Sequence, residues 1–246
     1  MSKPTFFELL KQSLQNVEGG YDLLAPKFDQ SRYITPEEIL HPFFKKLNEE
    51  KGKFDKGIDI CCGTGAASIH LAHLCQKEIV ALDLSQGMLE QCKTKLQQIA
   101  PTLKKTFVKA NALDIPFENE FDIAVSFGAF GHILEEEETL FIAQIHKVLK
   151  PGGHFFFITT SALPFWSISL WRQRIFNGIL RIRNFLVKPE FIMYYLTFRL
   201  PLVQEKLEAG GFKVQVLEDF YINRKANKIA DLLPLKYFKL VIAEKL

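Results

Sequence analysis

The sequence predicts an α/β protein built on a mostly parallel sheet with helices on both faces. Three observations carry that prediction. Strand and helix patterns alternate from about residue 57 onward, and glycine or proline marks the junctions between them. The 246 residues are 48% hydrophobic and 24% charged, which suits one large domain or one α/β domain with an insertion. At this size folding removes roughly 70% of the unfolded surface, so no disulfide or metal staple is needed. Collagen-like, coiled-coil and wholly disordered readings are excluded.

Residues 1–50 read as mainly helical and are expected to cap the open end of the sheet. Gly57–Cys61 reads as the first strand, Gly63-Thr64-Gly65 as a turn, and Ala66–Leu74 as a helix of small residues. Glu78–Leu82 is a second strand that ends in Asp83. Ser85 can cap the next helix, whose Leu89, Cys92, Leu96 and Ile99 fall at helical spacing, and Pro101 stops it. Thr106–Ala110 and Phe121–Phe127 are strands three and four. A helix over 140–149 shows Phe141, Ile145 and Val148 on one face, and Pro151-Gly152-Gly153 turns the chain into strand five, His154–Thr159. A helix Leu202–Ala209 stops at Gly210-Gly211. Strands Lys213–Leu217 and Tyr237–Glu244 follow, compatible with an antiparallel closing strand.

The net charge of +3 does not make nucleic acid the default partner, but its distribution is uneven. Between Pro164 and Pro201 there are six basic residues and one acid, Glu190, so this window is +5 and the rest of the chain −2. The window also holds both tryptophans and nine of the 31 aromatics. Cys61, Cys62, Cys75 and Cys92 form no C-x-x-C pair, the N-terminus lacks a secretory pattern, and no apolar run is long enough to span a bilayer. These features predict a reduced, cytoplasmic protein.

Asp59-Ile-Cys-Cys-Gly63-Thr64-Gly65-Ala-Ala-Ser68 joins a buried strand to a helix through glycines, which let backbone N–H groups approach a ligand. A dinucleotide fingerprint would place a third glycine where Ser68 stands, and the acid before the glycines suits a cationic ligand better than a pyrophosphate. Asp83, at the end of strand two, can accept both hydroxyls of a ribose. Asn111-Ala112 follows strand three, where a side-chain amide and a backbone N–H can read an adenine edge. Ser126-Phe127-Gly128 forms a small-residue mouth after strand four, and Val148-Leu-Lys-Pro-Gly-Gly153 follows.

In this order, DICCGTG, the 110–117 stretch, SFG at 126–128 and VLKPGG at 148–153 resemble class I S-adenosylmethionine-dependent methyltransferases, closest to the ubiquinone/menaquinone C-methyltransferase group. The segment Tyr21–Asp29 resembles the one preceding that group's first strand. The likeness covers residues 21–160. The family's Arg and Asn after SFG are here Ala129-Phe130-Gly131-His132, which leaves the acceptor open rather than the cofactor. The resemblance implies a single Rossmann-like domain over residues 1–246. Its sheet would be mostly parallel and seven-stranded with an antiparallel terminal strand, a helical N-terminal cap at 1–50 and a helical lid inserted at 160–205. It implies S-adenosylmethionine as cofactor. Gly63, Thr64 and Gly65 would line the methionine end, Asp59 its amino group and Asp83 the ribose. Leu84 and Met88 would pack near the adenine and Asn111 and Ala112 at its edge, with Ser126 and Phe127 beside the sulfonium. Tyr21 or Tyr33 would close over the carboxylate.

Alignment and exclusion of water supply most of such a transfer, and His132 is the best-placed general base. The competing reading, which needs no chemistry, makes His132 part of the pocket wall. His70 and His73 share a helix near Cys75, but no acid cluster completes a metal site with them. The run Glu135–Glu138 opens a helix and is explained by the helix dipole.

In the basic window, Ile168, Trp171, Ile175, Ile179, Ile182 and Leu186 form one stripe. Gln173, Asn177, Arg181, Asn184 and Lys188 form another. The window reads either as a plain lid packed on the core or as a greasy lid over a lipophilic small-molecule acceptor, with peripheral membrane contact through 164–201. Nucleic acid is disfavoured because no Asn/Asp-Pro-Pro-aromatic segment follows strand four. Two rival functions are an NAD-dependent oxidoreductase and a non-catalytic S-adenosylmethionine- or lipid-binding protein. Oligomeric state is not legible.

Overall fold

The computed structural model describes residues 4–31, 34–217 and 238–246. Helices α1 (Phe6–Ser13), α2 (Val17–Leu24) and α3 (Glu37–Lys51) precede the sheet. Strands β1 (Phe54–Ile60), β2 (Cys75–Asp83) and β3 (Lys104–Lys109) alternate with α4 (Ala66–Leu74) and α5 (Gln86–Leu96). Then come β4 (Phe121–Ser126), α6 (Glu138–Val148), β5 (Leu149–Thr160), α7 (Ile168–Leu186), α8 (Leu202–Ala209), β6 (Phe212–Leu217) and β7 (Phe238–Lys245). The predicted closing strand was read from Tyr237, and that residue lies outside the described ones.

The seven strands lie in the order β3-β2-β1-β4-β5-β7-β6. Pairs from β3 through β5 are parallel, whereas β7 runs antiparallel to both β5 and β6. The chain reverses direction across the sheet at β1, between β2 and β4. Open α/β sheets bind ligands at such a switch point, beyond the carboxyl ends of the strands.

Strand alternation divides the core between the two faces. Phe155 and Phe157 of β5 pack with Phe141 of α6 on one face, while Phe156 packs with Phe43 of α3 on the other. Each buried phenylalanine contributes about 1.5–3 kcal/mol relative to exposure. The N-terminal helices use both a face and an edge: Leu40, Phe43, Phe44 and Leu47 of α3 cover one face of the sheet, and α2 reaches α5.

Several strands and helices start or end a few residues from expectation, and two differences stand out. Helix α5 ends at Leu96, before Ile99, and Ala100, the residue before Pro101, takes φ 43°. Pro151-Gly152-Gly153 is a bulge inside β5 rather than a turn before it, with Phe121 paired to Leu149 and Ile123 to His154.

Candidate functional site

The carboxyl ends of β1, β2, β3 and β4 open into a cavity of about 570 Å³. After β1, alternate residues Cys61, Gly63 and Gly65 take φ values of 59°, 53° and 85°. At Gly63 a Cβ would meet nothing, so ligand can approach its main chain from the cavity. At Gly65 a Cβ would lie 2.6 Å from Cys92 Sγ, so this glycine serves the packing of α4 on α5 and does not line the cavity. Cys61 holds a left-handed conformation without being glycine, at a cost of about 1–2 kcal/mol.

Asp59 is buried at the cavity wall, and its Oδ2 accepts the Ser68 hydroxyl at 2.5 Å. Ser68 therefore has a use of its own at the position where a dinucleotide fingerprint needs glycine. Burial, with a smaller contribution from neighbouring Asp83, pushes the Asp59 carboxyl up to about 7, and among the described residues no cation offsets it. A buried carboxylate without a counter-charge fits the ammonium group of an incoming ligand. Asp83 accepts the Gly63 N–H on Oδ2 at 2.8 Å and the Ser85 N–H on Oδ1 at 2.9 Å. Burial raises its pKa in spite of these bonds. A carboxylate offers about four acceptor sites, so capacity remains for ligand hydroxyls.

Leu84, Met88, Asn111, Ala112 and Phe127 line the same cavity. Asn111 Oδ1 accepts the Leu113 N–H at 3.0 Å, which fixes the turn after β3. The Phe127 ring packs edge-on against Phe43, with ring centroids 4.8 Å apart. Ser126 is not in the lining: it is fully buried one strand position earlier, on the opposite side, and its Oγ has no hydrogen-bond partner among the described residues. Tyr33 lies outside the described residues.

The N-terminal helices clasp these loops. Asp22 accepts the Ser85 hydroxyl at 2.6 Å and the Gly87 N–H at 2.8 Å, at the start of α5. Asp29 accepts the Thr64 hydroxyl and pairs with Lys95, each at 2.6 Å. Sequence reasoning quoted the Tyr21–Asp29 segment but assigned these two acids no role. Their position in a segment matched for other reasons was the only signal.

Tyr21 lines the same cavity and is placed against His132. Its hydroxyl lies 2.8 Å from His132 Nε2, and the other ring nitrogen, Nδ1, lies 2.5 Å from the Ile192 carbonyl oxygen. A carbonyl only accepts, so Nδ1 carries the proton and Nε2 is the acceptor of the Tyr21 O–H. Burial lowers the His132 pKa and keeps the ring neutral, so the cavity contains a nitrogen lone pair of fixed direction.

Residues 191–199 form a strap over this side. The Tyr194 N–H donates to the Gly131 carbonyl at 2.6 Å, and a Cβ on Gly131 would lie 2.8 Å from the Tyr194 carbonyl oxygen. Phe198 stacks on Phe130 at 4.2 Å, and its N–H donates to Glu138 Oε1 at 2.7 Å. Glu138 also pairs with Lys206 at 2.8 Å. Its role is thus more than a favourable dipole interaction, since it anchors the strap from the start of α6. Asn184 exchanges hydrogen bonds with the backbone N–H and carbonyl of Phe191, both at 3.1 Å, and Asn177 does the same with Tyr195 at 2.8 and 2.5 Å. The lid expected at 160–205 includes these strap residues, but no local pattern revealed the hydrogen bonds that hold them.

A family model described as "Methyltransferase domain" matches residues 58–153. A demethylmenaquinone methyltransferase of Lactiplantibacillus plantarum is 31% identical over 154 residues, 60% of this chain and 64% of that protein. One from Staphylococcus saprophyticus is 30% identical over 158 residues, 63% of each. The chain thus spans somewhat less than two thirds of these curated relatives. Among solved structures, the DhpI–SAH complex aligns with a TM-score of 0.63 at 16% identity, covering 97% of this chain and 98% of that one. This likeness concerns the fold alone.

Proposed function

We propose that this chain, a methyltransferase domain on the class I Rossmann-like fold, transfers a methyl group from S-adenosylmethionine to a small lipophilic acceptor by direct displacement. The observation that carries the reading is the uncompensated Asp59 carboxylate beside the open face of Gly63, with Asp83 one strand away.

When bound, the cofactor supplies an electrophilic methyl group on a sulfonium. Asp59 would take its amino group, with the Gly63 and Thr64 main chain at the methionine end. Asp83 would accept the ribose hydroxyls. Leu84 and Met88 would pack on the adenine, with Asn111 and Ala112 at its edge. Phe127 would form the wall next to the transferred group. The chain's remaining tasks are to exclude water and to take the proton that the acceptor loses. The strap serves the first, and His132 the second: an acceptor that displaces the Tyr21 hydroxyl from Nε2 meets the free lone pair. Positioned bases of this kind contribute about 10²–10⁴-fold in rate.

A lipophilic acceptor is supported by the apolar roof, in which Ile192, Met193 and Leu196 accompany Tyr194 and Tyr195. The relatives from Lactiplantibacillus plantarum and Staphylococcus saprophyticus are demethylmenaquinone methyltransferases, whose acceptor is a quinone. Contact of 164–201 with a membrane surface belongs to the same reading. The test is incubation with methyl-labelled S-adenosylmethionine and a panel of lipophilic quinols and phenols. Label in the organic extract supports the proposal. Label in none of them, with the cofactor bound, would refute the acceptor class.

A further inference from the structure

Helix α7 faces the opposite way from a helix that packs on a core. Its apolar stripe points outward: Ile168, Ile175, Ile179, Ile182 and Phe185 are 60–86% exposed. Trp166, just before the helix, is 81% exposed. The stripe that faces the protein is polar in part, with Gln173 and Asn184 buried beside Leu170 and Leu180. This orientation is locked. Rolling the isoleucines inward would break the paired backbone bonds that Asn177 and Asn184 make to Tyr195 and Phe191.

We propose that the outward face of α7 docks on an anionic lipid bilayer surface. Charge complementarity selects that occupant. α7 contains four arginines and no acid, and Arg172, Arg174 and Arg181 are exposed. Helical spacing puts Arg172 at one edge of the apolar stripe and Arg174 and Arg181 beyond the other. The nearest acid in sequence, Glu190, is paired with Lys188. A second copy of the chain placed on this face would bring these arginines against their own counterparts, whereas a bilayer accepts the isoleucines in its acyl boundary and the guanidinium groups among phosphates. Among the described residues no helix is long and apolar enough to cross a membrane, so the contact is one of lying on the surface.

The use of this contact rests on the reading that the acceptor is lipophilic, because the strap held by the inner face of α7 roofs the cavity. Its test does not. Of the chain's two tryptophans, Trp171 falls in the apolar stripe by helical spacing and Trp166 is exposed just before the helix, so both can report the contact. Full-length protein would be mixed with vesicles of phosphatidylcholine alone or with about 30% phosphatidylglycerol. We expect a blue shift of tryptophan emission and co-sedimentation with the anionic vesicles, reduced by about 0.5 M salt. Ile175→Glu with Ile179→Glu, at exposed positions, should lower the bound fraction about tenfold or more while the thermal melt stays unchanged. Arg172→Gln with Arg174→Gln and Arg181→Gln should abolish the preference for anionic vesicles. Failure to bind either vesicle would overturn the proposal. So would a dimer by light scattering that the isoleucine variant dissociates, with no vesicle binding. Label transfer to soluble acceptors by a variant that no longer binds vesicles would separate failure of docking from failure of the proposed reaction.

Discussion

The floor of the cavity, made by the strand ends, and its roof, made by residues 161–200, bury opposite kinds of side chain. In the floor, apolar strands run into the core and the acids that reach the cavity stand at or next to their carboxyl ends, as with Asp59 after Ile58 and Asp83 after Leu82. In the roof, α7 turns asparagines inward to pair with a strap of backbone and leaves its isoleucines in solvent. The comparison teaches that a stripe of apolar residues identifies a helix face but not the direction in which that face points. A strap without sheet partners needs hydrogen bonds from somewhere. Here the inward helix face supplies them.

Four experiments break or sharpen this division of labour. The largest effect is expected at His132, the proposed base, which the roof holds through the Ile192 carbonyl. His132→Asn should lower the transfer rate about 100-fold or more and leave cofactor affinity intact. In the native protein the rate should hold constant down to acidic pH and fall only below the usual histidine range, because burial lowers this pKa. The variant should lose that acid limb. On the floor, Asp83→Ala should weaken binding of S-adenosylhomocysteine by roughly 30- to 100-fold in calorimetric titration, which corresponds to a lost charged hydrogen-bond acceptor of about 2–3 kcal/mol. An effect of Asp83→Ala on the rate at saturating cofactor, or of His132→Asn on cofactor affinity, would contradict the separation.

Asn184→Ala should leave the Phe191 N–H and carbonyl unpaired in a buried position, at about 1–3 kcal/mol each. Hydrogen exchange over 191–195 should accelerate while the amides of β1 and β4 stay protected. The last effect, on stability rather than on the reaction, concerns Asp59 in the ligand-free protein. Its folded-state pKa is raised to about 7, so between the ordinary aspartate range and about pH 7 the folded state holds a proton that the unfolded state has released. Stability should therefore fall as pH rises through that window. Asp59→Asn should flatten the slope seen in thermal melts, and a cationic ligand should reverse it.

Much of the floor was legible because its signals are local. Ala66–Leu74 and Leu202–Ala209 were bounded from small-residue and glycine punctuation, and Ser85 caps α5 through the Met88 N–H as its residue type suggests. Asp59, Gly63, Thr64, Asp83 and Asn111 fall on one cavity because strand ends in a parallel sheet share an edge. Ser126 was assigned to that cavity although the alternation of side chains along β4 turns it away. The clasps formed by Asp22 and Asp29 join residues 63 and 35 positions apart, and the Tyr21–His132 contact joins residues 111 apart. No periodicity encodes such pairs. The inverted packing of α7 was hidden for the same reason, since the partners of its asparagines are backbone groups of another segment.

The central claim is that the floor holds S-adenosylmethionine, and calorimetric titration of the full chain with S-adenosylmethionine, S-adenosylhomocysteine and NADH in parallel tests it most directly. The account predicts saturable binding of the first two, with proton release near neutral pH as Asp59 ionises beside the ligand's amino group, and no heat from NADH. Binding of NADH alone would contradict it.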